Sequence, residues 1–432
     1  MLFGDFMMGA KSRLLPMSIP FRFFMTAVVL HVMGWAVLLK ASFEAPGFMG
    51  GLGHVLGSLH FITLGVLAMT GMGAAFQLLP VATKRPVRSE LACKIAFWLM
   101  LPGVFGVVHG MGEAQPLVLV IGGGLVVSAM AIFAVLMVDN LRQVKDMRVV
   151  TDQAWVAVGS LVVLAVLGLL LAFDFQSGFL KDHQAVAAAH AVVAGYGFMG
   201  MLVMGFTFIL VPMFALTPPP PAKLGQRAGW LAGLAVVLAF AGLLHSIAPL
   251  VFLAGAVGLT AAGLHLWAMA KIMKSRMRKQ LGGSFLLIRL AWGLLPVSII
   301  VGLLAEAGVY PEKTAPLFGF LLIFGWLLTF LTGVLQRIIP FLASMHSVKP
   351  GIKPVLVSVL TAERPLQIHL YAHGAALLLV SAGLLAGEGA LVAAGAVSGV
   401  IGAVAFLTFA VLVLLRLRRH LNPVPTPSES EV

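Results

Sequence analysis

Twelve apolar stretches recur along the 432-residue chain, each long enough to cross roughly 30 Å of hydrocarbon as a helix. They fall at about 20–42, 52–82, 90–111, 115–139, 152–174, 182–216, 226–246, 247–272, 284–307, 313–343, 364–386 and 388–417. Backbone groups in hydrocarbon have no water to bond, so such segments must satisfy them within helices, and the expected fold class is an all-α integral membrane protein. Composition agrees: 60% of residues are hydrophobic and only 10% charged, whereas a soluble domain carries about 25% charged residues. Soluble enzyme classes are excluded. A single cysteine, Cys93, excludes a disulfide framework, a tetracysteine metal or iron–sulfur site and a Cys-x-x-Cys-His haem attachment. Any metal or cofactor must be held by histidine.

The formal charge of +13 is placed asymmetrically. With both termini and every even-numbered loop on one side, that side holds 25 of the 28 Lys and Arg residues, and only Lys40, Lys181 and Lys313 lie opposite. By the positive-inside rule both termini are cytoplasmic, in a bacterial-type inner membrane, and the basic charge is no argument for nucleic acid. Met1–Pro16 lacks the apolar core and cleavage site of a signal peptide, so the first helix is expected to stay as an anchor. Residues 420–432 read as a disordered cytoplasmic tail without evident chemistry.

Helices 2, 6 and 10 share a frame of Gly, seven residues, Gly, six residues, Pro. It reads Gly65, Gly73, Pro80, then Gly197, Gly205, Pro212, then Gly325, Gly333, Pro340. The copies lie four helices apart, which divides one membrane domain, 1–432, into three repeats at about 20–139, 152–272 and 284–417. Small residues that merely pack helices would explain the glycines but not their spacing. Three repeats of four argue against the common transporter plan of two six-helix halves. Residues 81–89 also lack that plan's Gly-x-x-x-Asp/Arg-Arg pattern.

A twelve-helix chain with threefold pseudosymmetry and helices 2, 6 and 10 innermost resembles the catalytic subunit of the haem-copper oxidase and nitric oxide reductase superfamily. The motifs that carry the likeness are Leu59-His-Phe-Ile-Thr-Leu-Gly-Val-Leu with Phe76-Gln-Leu-Leu-Pro80, and His190-Ala-Val-Val-Ala-Gly with Val211-Pro-Met-Phe214. Pro20-Phe-Arg-Phe-Phe24 is similar to the start of the nitric-oxide-response haem and copper membrane proteins. The resemblance implies that His60, on helix 2, ligates a low-spin haem. It also exposes departures. Helix 10 has no histidine, the position matching His60 being Phe320, and helix 7 has only His245. A copper site facing a haem needs three converging imidazoles, so copper lacks support and reduction of oxygen or nitric oxide at the family's usual site is not expected.

Ionisable side chains inside a membrane are costly and mark functional candidates. His60 and His190 head two copies of the frame at similar depth, and both are expected to ligate a b-type haem. Their registers differ, five and seven residues before the first frame glycine, so His31 on helix 1 is an alternative partner for His60. His369 and His373, four residues apart on one face of helix 11, are a second, metal-binding candidate. His54, His109, His183 and His245 read as wet interfacial residues, His265 as structural, and His346 and His420 as solvated. Arg337 is expected to snorkel to the cytoplasmic interface. No Asp or Glu lies deep in a span, which counts against a proton pump. The expected function is a membrane haem protein that transfers electrons or senses a diatomic gas (NO or O2). A non-catalytic assembly or scaffold subunit and a solute transporter are the rivals. The partners expected are the lipid bilayer and other membrane or redox subunits, with no nucleic acid.

Overall fold

The structure is a computed structural model that describes residues 14–83, 85–144, 147–218, 221–348 and 354–422. The tail beyond residue 422 and the first thirteen residues lie outside them. All regular elements among the described residues are helical, and twelve are long and apolar enough to cross a membrane. These are α1 (Ser18–Lys40), α2 (His54–Pro80), α3 (Glu90–Gly112), α4 (Pro116–Leu141), α5 (Arg148–Ser177) and α6 (His183–Ala215). There follow α7 (Ala222–Leu244), α8 (Ala248–Lys274), α9 (Gly282–Glu306), α10 (Pro311–His346), α11 (Glu363–Ala386) and α12 (Gly389–Leu421). The chain is a multi-pass membrane protein. Below, the face carrying the even-numbered loops is called the basic face, and the opposite one the acidic face.

Helix ends follow local chemistry. Ser89 caps α3 by accepting from the Ala92 amide, and Asp182 caps α6 by accepting from the Ala185 amide. Pro116 and Pro311 open α4 and α10, where a missing N–H leaves nothing unpaired.

Burial separates the helices into two classes. The most apolar windows of α2, α6 and α10 are 72%, 89% and 83% buried, against 22–50% for the other nine, so these three form the centre. Around them the hairpins α3–α4, α7–α8 and α11–α12 are the most extensive helix pairs, and α4 meets α5, α8 meets α9 and α12 meets α1. Each inner helix carries one π-helical segment: Phe61–Ala68, Val193–Gly200 and Leu321–Leu328. Every segment begins four residues before the first frame glycine and ends three after it. The frame prolines all lie inside helix, tolerated seven residues after the second glycine.

The frame glycines let each inner helix approach the helix that precedes it in sequence. A Cβ on Gly73 would stand 2.6 Å from Phe23 Cβ of α1, one on Gly197 2.7 Å from Ser160 Oγ of α5, and one on Gly333 2.9 Å from the Ser284 carbonyl of α9. Gly122 is equally close to α3, where a Cβ would meet the Val107 amide nitrogen at 2.5 Å, so the first glycine of the triplet is a helix contact.

Arg337 departs from its expected place. Its Nε donates to Ser284 Oγ at 2.8 Å and its terminal nitrogen to the Leu281 carbonyl, so it fastens the start of α9 to α10 instead of extending to the interface. Because the donor is charged, these bonds are of the stronger, charge-assisted kind.

Gly73→Leu is expected to lower stability by about 1–3 kcal/mol through overpacking against Phe23. Gly124→Leu, whose Cβ would meet nothing within 4 Å, leaves the thermal midpoint in detergent unchanged. Equal effects of the two substitutions would contradict this packing. Arg337→Met is expected to cost about 1.5–3 kcal/mol and to speed hydrogen exchange in the first turn of α9.

Candidate functional site

Two groups of histidines sit in the interior. The first joins α2 and α6 near the acidic face. His60 and His190 lie six and seven residues into their helices, about 9 and 10 Å along the axis. Their ring centres are 6.5 Å apart and their planes differ by 26°. His60 Nδ1 lies 2.9 Å from the Leu56 carbonyl, which can only accept, so the proton is on Nδ1 and the Nε2 lone pair is left free. His190 Nδ1 is buried and has no hydrogen-bond partner among the described residues. Gly168 of α5 makes room for the His190 ring, since a Cβ there would stand 3.3 Å from Cε1. Both rings are half-buried. His60 is also the residue directly before the α2 π segment, a distortion that frequently accompanies functional sites.

The separation of the ring centres is one that two imidazoles holding a single metal could have. Imidazoles sharing one metal, each nitrogen about 2 Å from it, place their ring centres about 6 Å apart. A backbone carbonyl on the far nitrogen is the usual way of fixing a ligating ring and its tautomer. The different registers of His60 and His190 in the frame therefore do not keep them apart.

The second group joins α1, α10 and α11. His31, His369 and His373 are 1%, 0% and 1% exposed. His369 and His373 do share a face, with ring centres 5.4 Å apart, but His31 is their neighbour too, 6.1 Å from His369. His31 thus turns toward α11. Its Nε2 accepts from the Trp35 indole N–H at 3.0 Å, which uses the lone pair and leaves the proton on Nδ1. His369 Nδ1 donates to the Gly402 carbonyl at 3.0 Å. Thr329 gives its hydroxyl proton to the Phe324 carbonyl, so it accepts from His373 Nε2 at 2.7 Å. Trp35, Phe324 and Phe406 pack around the rings. Among the described residues no three His, Cys, Asp or Glu side chains converge as a metal site would need.

The remaining histidines are peripheral or structural. His54 Nε2 lies 3.3 Å from Glu113, which also approaches Lys40. His183 is not merely wet: its Nδ1 is 2.7 Å from Asp174, whose other oxygen accepts from the Leu180 amide. His109 and His245 are exposed. His265 is buried edge-on against Phe208, as a structural residue would be. His346, expected in solvent, is half-buried with its ring edge-on to Phe21. The Asp174–His183 pair and the approach of His31 to His369 have no signature in residue spacing, because each depends on how helices or their loops are placed.

No family model matches the chain, and no curated protein does. Among solved structures it is similar to one described as the cryo-EM structure of a heme-copper terminal oxidase dimer, with a TM-score of 0.55 and 11% sequence identity. The match covers 95% of this chain and 85% of that one. Likeness at this level of identity concerns the path of the backbone and assigns no side chain a role. The chain has the fold of a haem-copper terminal oxidase chain, carried by twelve apolar helices.

Proposed function

We propose that this protein is a haem-binding redox or gas-sensing protein of the bacterial inner membrane, in which His60 and His190 would hold one b-type haem. The observation that carries this reading is the 6.5 Å separation of the two rings, on two central helices, with a free Nε2 on His60 and an unpartnered Nδ1 on His190. A haem held there would supply one-electron chemistry or binding of NO or O2. The protein's part is to orient the rings: Leu56 fixes the His60 tautomer and Gly168 leaves space for His190. The position of α10 that matches His60 is Phe320, the helix's one histidine, His346, is its last residue, and among the described residues no three imidazoles converge for copper, which supports electron transfer or sensing over oxygen reduction.

The charge asymmetry supports placing the acidic face outside and both termini in the cytoplasm. The matching π segments and frame glycines support three four-helix repeats. His31, His369 and His373 are read as a hydrogen-bonded packing cluster, since Trp35, Gly402 and Thr329 already engage them.

The reduced-minus-oxidised visible spectrum of the purified protein tests the reading. A low-spin b-type signal is expected. His60→Ala and His190→Ala should each lower haem content about tenfold or leave a high-spin, five-coordinate haem, while His369→Ala and His373→Ala keep the parent spectrum. Colourless protein that binds a solute would instead identify a transporter. Colourless, solute-inert protein that co-purifies with other membrane subunits would identify a scaffold.

A further inference from the structure

A cavity of about 330 Å³ opens at the acidic face between α6, α7, α8, α9 and α10. Its lining runs from Leu243 to Ala232 on α7, from Val251 to Ala262 on α8 and from Glu306 to Leu295 on α9. Eleven residues of advance on each helix give a depth of about 16 Å, half of the roughly 30 Å hydrocarbon core. The cavity is therefore as deep as one leaflet. Alanines and glycines make up nearly half of its lining. At Gly258 a Cβ would find only ordinary contacts, 3.6 Å to Ala235 and 3.8 Å to Ile299, so a longer side chain there would occupy the open space.

The cavity is separate from the histidine pair. Ala188, Val192 and Tyr196, spaced by four on α6, face it, whereas the His190 ring lies against Gly168 of α5 and near His60 of α2. No histidine lines it. Its one deep polar pair is Tyr196 and Ser298, whose hydroxyls are 2.8 Å apart. Ser298 donates to the Leu295 carbonyl and so accepts from Tyr196, which uses both protons. The lining thus offers no free hydroxyl proton to a carbonyl-bearing ring and no imidazole to a metal. The Trp326 indole N–H is the further polar group of the deep lining, and the rest of the wall there is apolar and suits hydrocarbon. At the mouth, the Glu306 carboxylate would repel the head of a free fatty acid and attract an ammonium group.

We propose that this cavity holds one acyl chain of an ethanolamine phospholipid from the leaflet at the acidic face, with the ammonium group at Glu306. The test uses the full chain in nanodiscs containing phosphatidylethanolamine with a diazirine near the end of one acyl chain. After irradiation, residue-level mapping should place label on the lining residues Ala254 and Gly258 of α8 and Ile299 and Leu303 of α9. Gly258→Leu should lower that labelling at least fivefold while labelling of the outward-facing Leu253 persists. Ala239→Leu, on the opposite wall, serves the same purpose should the first variant fail to fold. Label confined to outward-facing residues, or undiminished in a folded variant, would overturn the proposal. So would loss of the lining label to a prenyl-tailed quinone at a mole fraction where unlabelled phosphatidylethanolamine does not compete.

Discussion

Everything in this molecule depends on how closely three buried helices can be approached by their neighbours. In hydrocarbon a helix gains nothing from burying apolar side chains against another helix, because lipid tails are equally apolar, so association rests on close packing and on polar contacts. The frame glycines of α2, α6 and α10 supply the first. Phe23, Ser160 and Ser284 occupy the space that a Cβ would take at Gly73, Gly197 and Gly333, and those contacts place α1, α5 and α9. The hairpins then fill the gaps between these pairs.

The π segments follow from the same constraint. A wider turn changes which carbonyl each amide reaches, and a carbonyl left over in a bilayer has no water to satisfy it. At the end of the α10 segment Thr329 donates to the Phe324 carbonyl five residues back, and in doing so becomes the acceptor for His373. Backbone repair in one inner helix therefore fixes the tautomer of a histidine on an outer one. Arg337 does similar work at the basic face, where it ties α10 to the first turn of α9.

Hydropathy is a local property, so the twelve spans could be read from sequence to within a few residues: helix 1, expected at 20–42, is Ser18–Lys40, and helix 12, expected at 388–417, is Gly389–Leu421. The Gly and Pro spacing located the three inner helices for a related reason, since close approach demands glycine wherever it occurs. The π segments left no trace, because nothing in the residue types of Phe61–Ala68 and Leu321–Leu328 distinguishes them from ordinary helix. Arg337 was misplaced because snorkelling considers one helix and water, while its acceptors belong to a second helix 53 and 56 residues away. His31 and His369 are separated by most of the chain, and their meeting depends on α1 packing on α12 and α12 on α11.

Counting lone pairs distinguishes the two histidine groups more sharply than depth or burial does. A metal needs an imidazole nitrogen whose lone pair is free and a second nitrogen whose proton is held elsewhere. His60 meets both conditions through Leu56, and His190, whose Nδ1 has no partner among the described residues, has no bond that a metal would have to displace. His31 fails the first, since Trp35 already donates to its Nε2 and its other nitrogen bears the proton. His369 meets them, with Nδ1 on the Gly402 carbonyl and Nε2 unpartnered, but its neighbour His373 has Nε2 committed to Thr329. Moving a metal into the second group would mean releasing the Trp35 indole or the Thr329 hydroxyl into hydrocarbon, where an unpaired polar group is expensive. At the first group no such bond would have to break, because the one hydrogen bond there among the described residues, from His60 Nδ1 to the Leu56 carbonyl, leaves Nε2 free and His190 Nδ1 has no partner.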